Sequence, residues 1–568
     1  MSKVIVLVAT KASLILILVT SWYYYESTDN SAVIVSTVNG KIKGKVVKLK
    51  VEDTNSVCVF RNIPFAKPPV GKLRFLPPEP AESWKGVRDG TIQGNLPMYP
   101  RILDEPLGKY FPLINPNVND ISNEDCLHLS VFAPRLNKPK KLPVMVFFYG
   151  GSFVVGGEKF FDGTVLAGMN DVVVVVPNYR VGIFGFLSLG SSSKVSGNGG
   201  IMDQQLALKW VKNNIKKFGG DENNVVIFGQ SSGAVSVNLH LMSPLSRGLF
   251  HKAISHSGQA ISPGSFNPEK VIANGNKILF EHLKIKATDQ NKILEELQNI
   301  PPEELVTASL ALARKGVSFK PTNDGKVLPE TPEQMLRNKD FAKVPYIIGC
   351  NDSEGHGILH QAFIPGFAEG ISEQLAKNSV TFPLSDTGFE KCKDFYIKDQ
   401  DGDQRFSILL GNISGDAMIV SKAVRTASVF ANAGAPVYMY LGAFQLKMFR
   451  NDEYGPQVGR KPFWCNCDRT DEMHMTLGVP FSTIKLRGGG KFTKEEAEIS
   501  KKFMTYLTNF AKTGNPNEGD HVDTIWPRYK SKGEHLIVAS TFSTGKNLAE
   551  KRVDFWNNIM PPFMTKPQ

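Results

Sequence analysis

The sequence predicts an α/β fold in which helices cover both faces of a mostly parallel central sheet. Residues 144–148 and 172–176 are uninterrupted apolar runs, which are typical of strands buried on both faces. A third strand is predicted at 225–230, and before it residues 203–218 place apolar side chains on one face of a helix. Strands and helix in this order indicate parallel strands joined by right-handed crossovers.

The other predicted elements flank these strands. Residues 32–51 alternate apolar and polar side chains around Asn39-Gly40, which predicts a hairpin. Residues 268–343 are rich in helical patterns without a strong strand, and they predict a helical cap insertion. No internal repeat or low-complexity linker interrupts the chain, so residues 30–560 are predicted to form a single domain. Three later elements complete the prediction: strands at 346–349 and 437–441, and an amphipathic helix at 499–510.

The charge balance argues against a nucleic-acid partner. The 568 residues carry a formal charge of +12, from 66 basic and 54 acidic side chains. No cluster of Lys and Arg interleaved with aromatic residues is present, so the charge is interpreted as a solvated surface.

The N-terminal segment predicts entry into the secretory pathway. Residues 4–20 are apolar apart from Lys11, so residues 1–21 are predicted to be a signal peptide or an uncleaved signal anchor. Glycosylation sequons at Asn351 and Asn412 agree with a secreted protein or one of the secretory lumen. Contact with a membrane is expected only if the segment stays uncleaved.

The six cysteines do not predict a metal site. They are widely spread, and Cys465 and Cys467 lie too close together for a comfortable structural zinc pair. Neither a metal nor another cofactor is expected from the sequence.

A serine nucleophile is predicted at the end of the third strand. The sequence Gly-Gln-Ser-Ser-Gly at 229–233 lies between a strand and a helix, which is the context of a nucleophile elbow centred on Ser231. The glycine-rich turn after residues 144–148 can offer backbone N–H groups to an oxyanion, together with the N–H of Ser232. Glu354 follows a later strand and suits the acid that orients a catalytic base.

With these residues in place, the chain resembles the type-B carboxylesterase and cholinesterase family from about residue 33 to 556. The motifs that carry the resemblance are numerous and specific. They are Lys-Pro-Pro-Val-Gly-Lys-Leu-Arg-Phe at 67–75, Glu-Asp-Cys-Leu-His-Leu at 124–129, Asn-Tyr-Arg-Val-Gly-Ile-Phe-Gly-Phe at 178–186, Gly-Asn-Gly-Gly at 197–200 before Asp-Gln at 203–204, Phe-Gly-Gly-Asp at 218–221 and Ala-Lys-Thr-Gly-Asn-Pro at 511–516.

The resemblance implies an α/β-hydrolase fold and hydrolysis of small-molecule carboxylic esters through an acyl-enzyme. It places the oxyanion-hole amides on Gly151, Ser152 and Ser232. It also implies two buried ion pairs of structural importance, Arg74 with Glu124 and Arg180 with Asp203.

The chain departs from the family at the catalytic base. The family carries its histidine in a loop of the form Asp-His-small-Asp-Glu, and residues 468–472 here read Asp-Arg-Thr-Asp-Glu. Arg469 therefore stands at the position of the histidine, and a guanidinium cannot accept the serine proton. It could instead pair with Glu354 and hold the loop closed. His474, five residues further on, is the alternative candidate for the base.

Two further departures concern specificity and disulfides. Ile114 stands roughly where cholinesterases carry the tryptophan that stacks on choline, so a cholinesterase is not expected. Cys126 matches a family disulfide cysteine whose partner position is about Met98, which leaves Cys126 either free or paired with Cys58.

Two hypotheses about function follow. The first is a serine carboxylic-ester hydrolase with an impaired or non-standard base. The alternative is a catalytically inactive, esterase-like binding or adhesion protein. The retained serine and acid favour the first and Arg469 favours the second. A lipase acting on lipid surfaces is a weaker third class, since the sequence does not show an apolar rim.

Overall fold

A thirteen-stranded sheet forms the centre of the molecule. The structure is a computed structural model that describes residues 29–49, 51, 56–111, 113, 121–134, 136, 140–450, 455 and 458–564. The strands are β1 (Asp29–Ser36), β2 (Lys41–Val47), β3 (Val57–Pro64), β4 (Val87–Asp89), β5 (His128–Ala133), β6 (Leu142–Phe148), β7 (Val173–Pro177), β8 (Gly220–Gln230), β9 (Lys252–His256), β10 (Tyr346–Asn351), β11 (Val437–Gly442), β12 (His535–Val538) and β13 (Ser543–Gly545).

The strand order confirms a mostly parallel sheet. It runs β1-β2-β3-β5-β7-β6-β8-β9-β10-β11-β12-β13, with β4 beside β2. Every pairing from β7 to β12 is parallel. The two edges are antiparallel apart from the parallel pairing of β4 with β2. Strands β1 and β2 form the predicted hairpin, with Ser36 opposite Lys41.

The central strands are buried along their whole length, as their apolar sequences predict. Every residue of β6 and of β7 is buried. Met145 of β6 pairs with Val174 on one side and with Val226 of β8 on the other. A strand with neighbours on both edges and helices over its faces has no solvated side, so apolar residues fill all its positions.

Sixteen α-helices surround the sheet in the described part of the chain. They are α1 (Asp104–Tyr110), α2 (Thr164–Asn170), α3 (Gly182–Phe186), α4 (Gly199–Asn214), α5 (Ser232–Met242), α6 (Glu269–Leu283), α7 (Gln290–Asn299), α8 (Pro302–Ala313), α9 (Pro332–Asn338), α10 (Glu373–Asn378), α11 (Asp386–Tyr396), α12 (Arg405–Gly415), α13 (Ser421–Asn432), α14 (Asp471–Thr476), α15 (Lys494–Thr513) and α16 (Glu550–Asp554).

The helices contact the sheet in two groups, as expected for an α/β-hydrolase fold. Helices α2 and α15 pack against each other and against the central strands, whereas α5, α9 and α13 form the other group. Helix α15 begins with a capping box in which Thr493 and Glu496 satisfy each other's backbone amides. The predicted cap insertion is confirmed, since residues 268–343 hold α6 to α9 and no strand.

Apolar side chains gather in two clusters. The larger lies along the sheet, and the smaller surrounds Trp556 with residues of α11 and α12. The single domain over residues 30–560 stays a prediction. The predicted signal segment at 1–21 and the choline-site position Ile114 lie outside the described residues.

The parallel strands bring distant parts of the chain to one edge of the sheet. The carboxyl ends of β6, β8, β10 and β11 lie side by side because these strands are neighbours or nearly so. Each of the four is followed by a loop that carries a predicted site residue. In α/β sheets, loops at this edge form the ligand site.

Candidate active site

Ser231 lies on a sharp turn between β8 and α5. Its φ angle is 58° and its ψ angle is −123°, a conformation that L-residues rarely adopt. A side chain on Gly233 would collide with the carbonyl oxygen of Phe148, and one on Gly229 would collide with the Gly233 backbone. The Ser231 amide donates to the carbonyl of His256 at 2.9 Å. The two glycines therefore let β6 and α5 approach closely enough to hold the strained turn.

The side chain of Arg469 bridges the predicted nucleophile and the predicted acid. Its Nη2 donates to Ser231 Oγ at 2.8 Å. Its Nη1 lies 3.6 Å from Oε2 of Glu354, which is an ion-pair distance but not a hydrogen bond. Arg469 thus lies between Ser231 and Glu354. The guanidinium occupies the place between serine and acid that an imidazole needs.

Glu354 lies three residues beyond β10 in a fully enclosed position. The side chain is buried, and its Oε1 accepts from the Asn351 amide at 2.7 Å. Burial raises the pKa of the Glu354 carboxyl to about 8, with Glu472 adding to the rise and Arg469 opposing it. Glu354 is therefore mostly protonated at neutral pH, which weakens its attraction for Arg469.

The loop that carries Arg469 is pinned by buried charges. Asp468 accepts from the amides of Gly357 and Ile358 at 3.1 and 2.8 Å. The buried Lys461 ammonium lies 2.7 Å from Asp471 and 3.3 Å from Asp468. Asp468 and Asp471, on either side of Arg469, are therefore both held by buried contacts. These contacts fix the backbone position from which the Arg469 side chain extends.

Glu472 and Asn351 join the loop to β10. The Glu472 carboxylate accepts from Asn351 Nδ2 at 2.6 Å and from Ser257 Oγ at 3.0 Å. Asn351 Nδ2 also donates to the Asp468 carbonyl at 3.0 Å. The sequon nitrogen of Asn351 is thus fully buried and hydrogen-bonded, and its role in this fold is to tether the loop to β10.

His474 is not brought to the serine. It lies on α14, where Nδ1 is 3.3 Å from the Asp471 carbonyl and the ring packs against Phe111 and Phe492. Burial lowers the pKa of the imidazole to about 3, so the ring is neutral. The expectation that His474 reaches Ser231 does not hold, because α14 directs the ring into an aromatic packing site.

Gly151 and Ser152, two of the residues expected in the oxyanion hole, line the same cavity as Ser231, and Ser232 follows Ser231 in the chain. Gly151 and Ser152 have φ angles of 123° and 57°, and Ser232 is the first residue of α5. The Phe153 amide donates to Ser232 Oγ at 3.2 Å, which ties the two turns together. The amides of Gly151 and Ser152 donate to no acceptor within the described ranges. These N–H groups are therefore available to a ligand.

A cavity of about 280 Å³ opens onto the serine. Its polar lining comes from Gln230, Ser231, Arg469, Thr470 and the turn at 150–152. Most of the remaining wall is apolar, and it consists of Leu103, Leu107, Phe111, Val154, Val155, Phe160, Phe161, Ile358, Leu359 and Phe363. Such a wall suits an apolar ligand with one polar end.

The implied structural ion pairs are present. Arg74 donates to both Glu124 oxygens at 2.6 Å, and Arg180 donates to both Asp203 oxygens at 2.8 and 2.7 Å. All four side chains are nearly fully buried. Their charges are satisfied away from the cavity around Ser231.

All six cysteines are free thiols. The alternative of a Cys126–Cys58 disulfide is thus not realised. Cys126 and Met98 line the same small cavity, which agrees with Met98 standing at the position of the missing partner. Within the described residues, no group of three His, Cys, Asp or Glu side chains could hold a metal, and none of the helices is long and apolar enough to cross a membrane.

Fold and site together define an α/β-hydrolase built around a serine elbow. Residues 31–556 match the model of the Carboxylesterase family. The chain is 36% identical to Carboxylesterase 1E of Rattus norvegicus, over 94% of each chain. It is 35% identical to Carboxylesterase 5A of Homo sapiens, over 92% of this chain and 88% of that one, and 34% identical to Liver carboxylesterase of Sus scrofa, over 93% of each. The chain belongs to the carboxylesterase family, and at that level it is a carboxylic ester hydrolase.

Three residues of the site escaped the sequence analysis: Lys461, Asn351 as a loop tether, and Ser257. Lys461 lies between Arg460 and Pro462 with no neighbouring acidic residue in sequence, and Asn351 reads as a sequon. The signal in the sequence was the pair of aspartates, Asp468 and Asp471, on either side of Arg469. If both are buried, they need a buried cation such as Lys461 as a partner.

Proposed function

We propose that this chain hydrolyses small neutral carboxylic esters through an acyl-enzyme on Ser231, and that Arg469 limits its turnover. The observation that carries the proposal is the Ser231 hydroxyl, held on a strained turn beside an apolar cavity and two amides that have no acceptor among the described residues. A protein without use for this serine has no reason to keep the strained turn.

The chemistry divides into two steps with different demands. Ser231 Oγ attacks the ester carbonyl while its proton passes to solvent water, and the N–H groups of Gly151, Ser152 and Ser232 receive the developing oxyanion. The ester C–O bond then breaks, and the alcohol or phenol leaves as its anion, which takes up a proton from solvent. Arg469 donates to Ser231 Oγ, so it stabilises negative charge there but cannot take the proton. Deacylation suffers most, because the attacking water has no base to activate it.

The expected loss is large but incomplete. In subtilisin, removal of the catalytic histidine costs about a millionfold in turnover, and about 10³–10⁴ of the rate enhancement over water remains from the oxyanion hole and binding. An activated ester with a good leaving group should therefore still acylate Ser231, whereas release of the acid should be slow.

The second candidate is a non-catalytic binding protein of the same family. It is favoured by the contact of Arg469 with Ser231 Oγ, which engages the hydroxyl that would react. In this case the cavity would hold a ligand without chemistry.

We also propose that the chain enters the secretory route. This rests on the apolar leader at 4–20 and the sequon at Asn412, which is half-buried on α12. Contact with a membrane would then require an uncleaved leader.

The test is stopped-flow hydrolysis of p-nitrophenyl butyrate by the purified chain, Arg469→His and Ser231→Ala. We expect one burst of p-nitrophenol followed by slow release from the natural chain, and no burst from Ser231→Ala. Arg469→His should restore steady turnover, because an imidazole in this position lies between Ser231 and Glu354.

The outcomes separate the two candidates. A burst that survives in Ser231→Ala would show that another group reacts, which contradicts the acyl-enzyme. Absence of a burst in both the natural chain and Arg469→His would favour the binding protein.

A further inference from the structure

Arg469 carries an incompletely satisfied charge at the wall of the cavity. The residue is 7% exposed, and it lines the cavity beside Ser231. Its Nη1 has no hydrogen-bond acceptor in the described part of the chain. Glu354 Oε2, at 3.6 Å, is too far to accept and has no hydrogen bond either. A buried cation with an N–H group that lacks an acceptor favours an anionic ligand.

The protonated Glu354 carboxyl and the backbone amides beside it strengthen the preference for an anion. Burial raises the pKa of Glu354 to about 8, so at neutral pH the acid does not cancel the charge of Arg469. The unpartnered amides of Gly151 and Ser152 lie on the same wall and donate in addition. The polar end of the cavity thus presents donors and one cation.

The shape and chemistry of the cavity select among anions. A guanidinium beside backbone N–H groups matches the two oxygens of a carboxylate. The other walls come from aliphatic and aromatic side chains such as Leu103, Leu107 and Phe363. These walls accommodate a hydrocarbon chain and offer nothing to a sugar or a nucleotide.

We infer that this cavity binds the carboxylate of an aliphatic monocarboxylic acid, with Arg469 as its cationic partner and the hydrocarbon tail against the apolar wall. The inference rests on the proposed function in so far as the same cavity takes the acyl group of an ester. It adds that the acid, which is the product of ester hydrolysis, binds more tightly than an uncharged analogue.

The test is isothermal titration calorimetry with sodium octanoate and with octanamide, its uncharged analogue, at neutral pH. In the natural chain we expect octanoate to bind at least about tenfold more tightly than octanamide, since hydrogen bonds to a charged group are worth this much. Ser231→Ala should keep or strengthen the preference, because this variant retains Arg469, frees its Nη2 from the serine hydroxyl and cannot be acylated. Arg469→Gln should abolish it.

Two controls keep the result interpretable. Arg314→Gln removes one exposed positive charge far along the chain on the C-terminal side of α8 and should leave the preference unchanged. Thermal unfolding of every variant shows whether it is folded, and the octanoate–octanamide comparison in the natural chain needs no variant.

Specific outcomes overturn the inference. These are equal affinity for octanoate and octanamide, loss of octanoate binding in Ser231→Ala, or unchanged preference in Arg469→Gln. Failure of the proposed hydrolysis is a different result, namely no burst in stopped-flow. Octanoate binding to Ser231→Ala does not depend on that chemistry.

Discussion

Arg180 and Arg469 are both buried arginines that face a buried carboxyl group, yet their surroundings differ. Arg180 donates to both oxygens of Asp203 and to the carbonyl of Leu76 at 2.9 Å, and the Asp203 carboxylate also accepts from the Arg180 amide. Within the described part of the chain, Arg469 makes one hydrogen bond, to a serine, and it lies 3.6 Å from Glu354. The polar atoms of the first pair have their hydrogen-bond partners, whereas some of those of the second have none among the described residues.

This difference separates a structural ion pair from a ligand site. Burying two charges is stabilising only when geometry and additional hydrogen bonds compensate for the lost hydration. Arg180 and Asp203 meet that condition and join the loop after β7 to α4. Arg469 and Glu354 do not meet it, so this pair contributes little to the stability of the fold. Its unsatisfied polar atoms can instead interact with a ligand or with reacting atoms.

The largest expected effect follows directly. Arg180→Gln leaves the Asp203 carboxylate buried without a cation, which should lower the free energy of unfolding by about 3–5 kcal/mol. Arg469→Gln should cost about 1 kcal/mol or less, because it removes one hydrogen bond and leaves a Glu354 carboxyl that is mostly neutral at pH 7. Urea unfolding monitored by tryptophan fluorescence measures both.

Arg314→Gln serves as the surface control and should unfold like the natural chain. If Arg469→Gln proves as unstable as Arg180→Gln, the two pairs have the same role. The distinction between structural pair and ligand site would then be lost.

Much of the framework was predictable because it depends on local sequence. The buried strands β6 and β7 appear as apolar runs, the hairpin as Asn39-Gly40, and the elbow as two glycines around a serine. In each case the physical constraint lies within a few consecutive residues. The position of Arg469 was predictable through the flanking motif of its loop.

The environment of the base loop was not predictable, because it arises from residues far apart in the chain. Lys461 is inserted between Asp468 and Asp471, and Asn351 donates to a loop more than a hundred positions away. His474 lies at a sequence distance that allows it to approach Ser231, but α14 turns its ring towards Phe111. Only the folded backbone decides such orientations.

The protonation of Glu354 provides a second way to distinguish the Arg469–Glu354 pair from the structural Arg180–Asp203 pair. Its pKa of about 8 lies between the pH values of a convenient titration. As the pH rises through this value Glu354 ionises, pairs with Arg469 and competes with a bound carboxylate. From about pH 7 to about pH 9, octanoate affinity should therefore fall about tenfold, in proportion to the protonated fraction. Calorimetry at several pH values measures the change.

Among the ionisable groups near Glu354, Cys350 and Tyr440 do not reproduce this profile, whereas Glu472 requires a control. Burial raises the pKa of Cys350 and of Tyr440 well above their ordinary values, so both stay neutral. Burial also raises the pKa of Glu472, whose ionisation would act in the same direction through Arg469. The matched control is Glu354→Gln, which should flatten the profile. A profile unchanged by this substitution would assign the titration to Glu472.

The smallest expected effect concerns His474, and it tests whether Arg469 alone occupies the position of the base. The His474 ring is neutral, packs against Phe111 and Phe492, and contacts neither Ser231 nor Glu354 among the described contacts. His474→Gln should therefore leave the rate and amplitude of the p-nitrophenyl butyrate burst within about twofold of the natural chain, since a group outside the reacting atoms changes the barrier little. Stopped-flow beside Arg469→His measures this, and thermal unfolding identifies any loss through packing. A folded His474→Gln without a burst would make His474 the base after all, and it would require a loop arrangement in which Arg469 leaves Ser231.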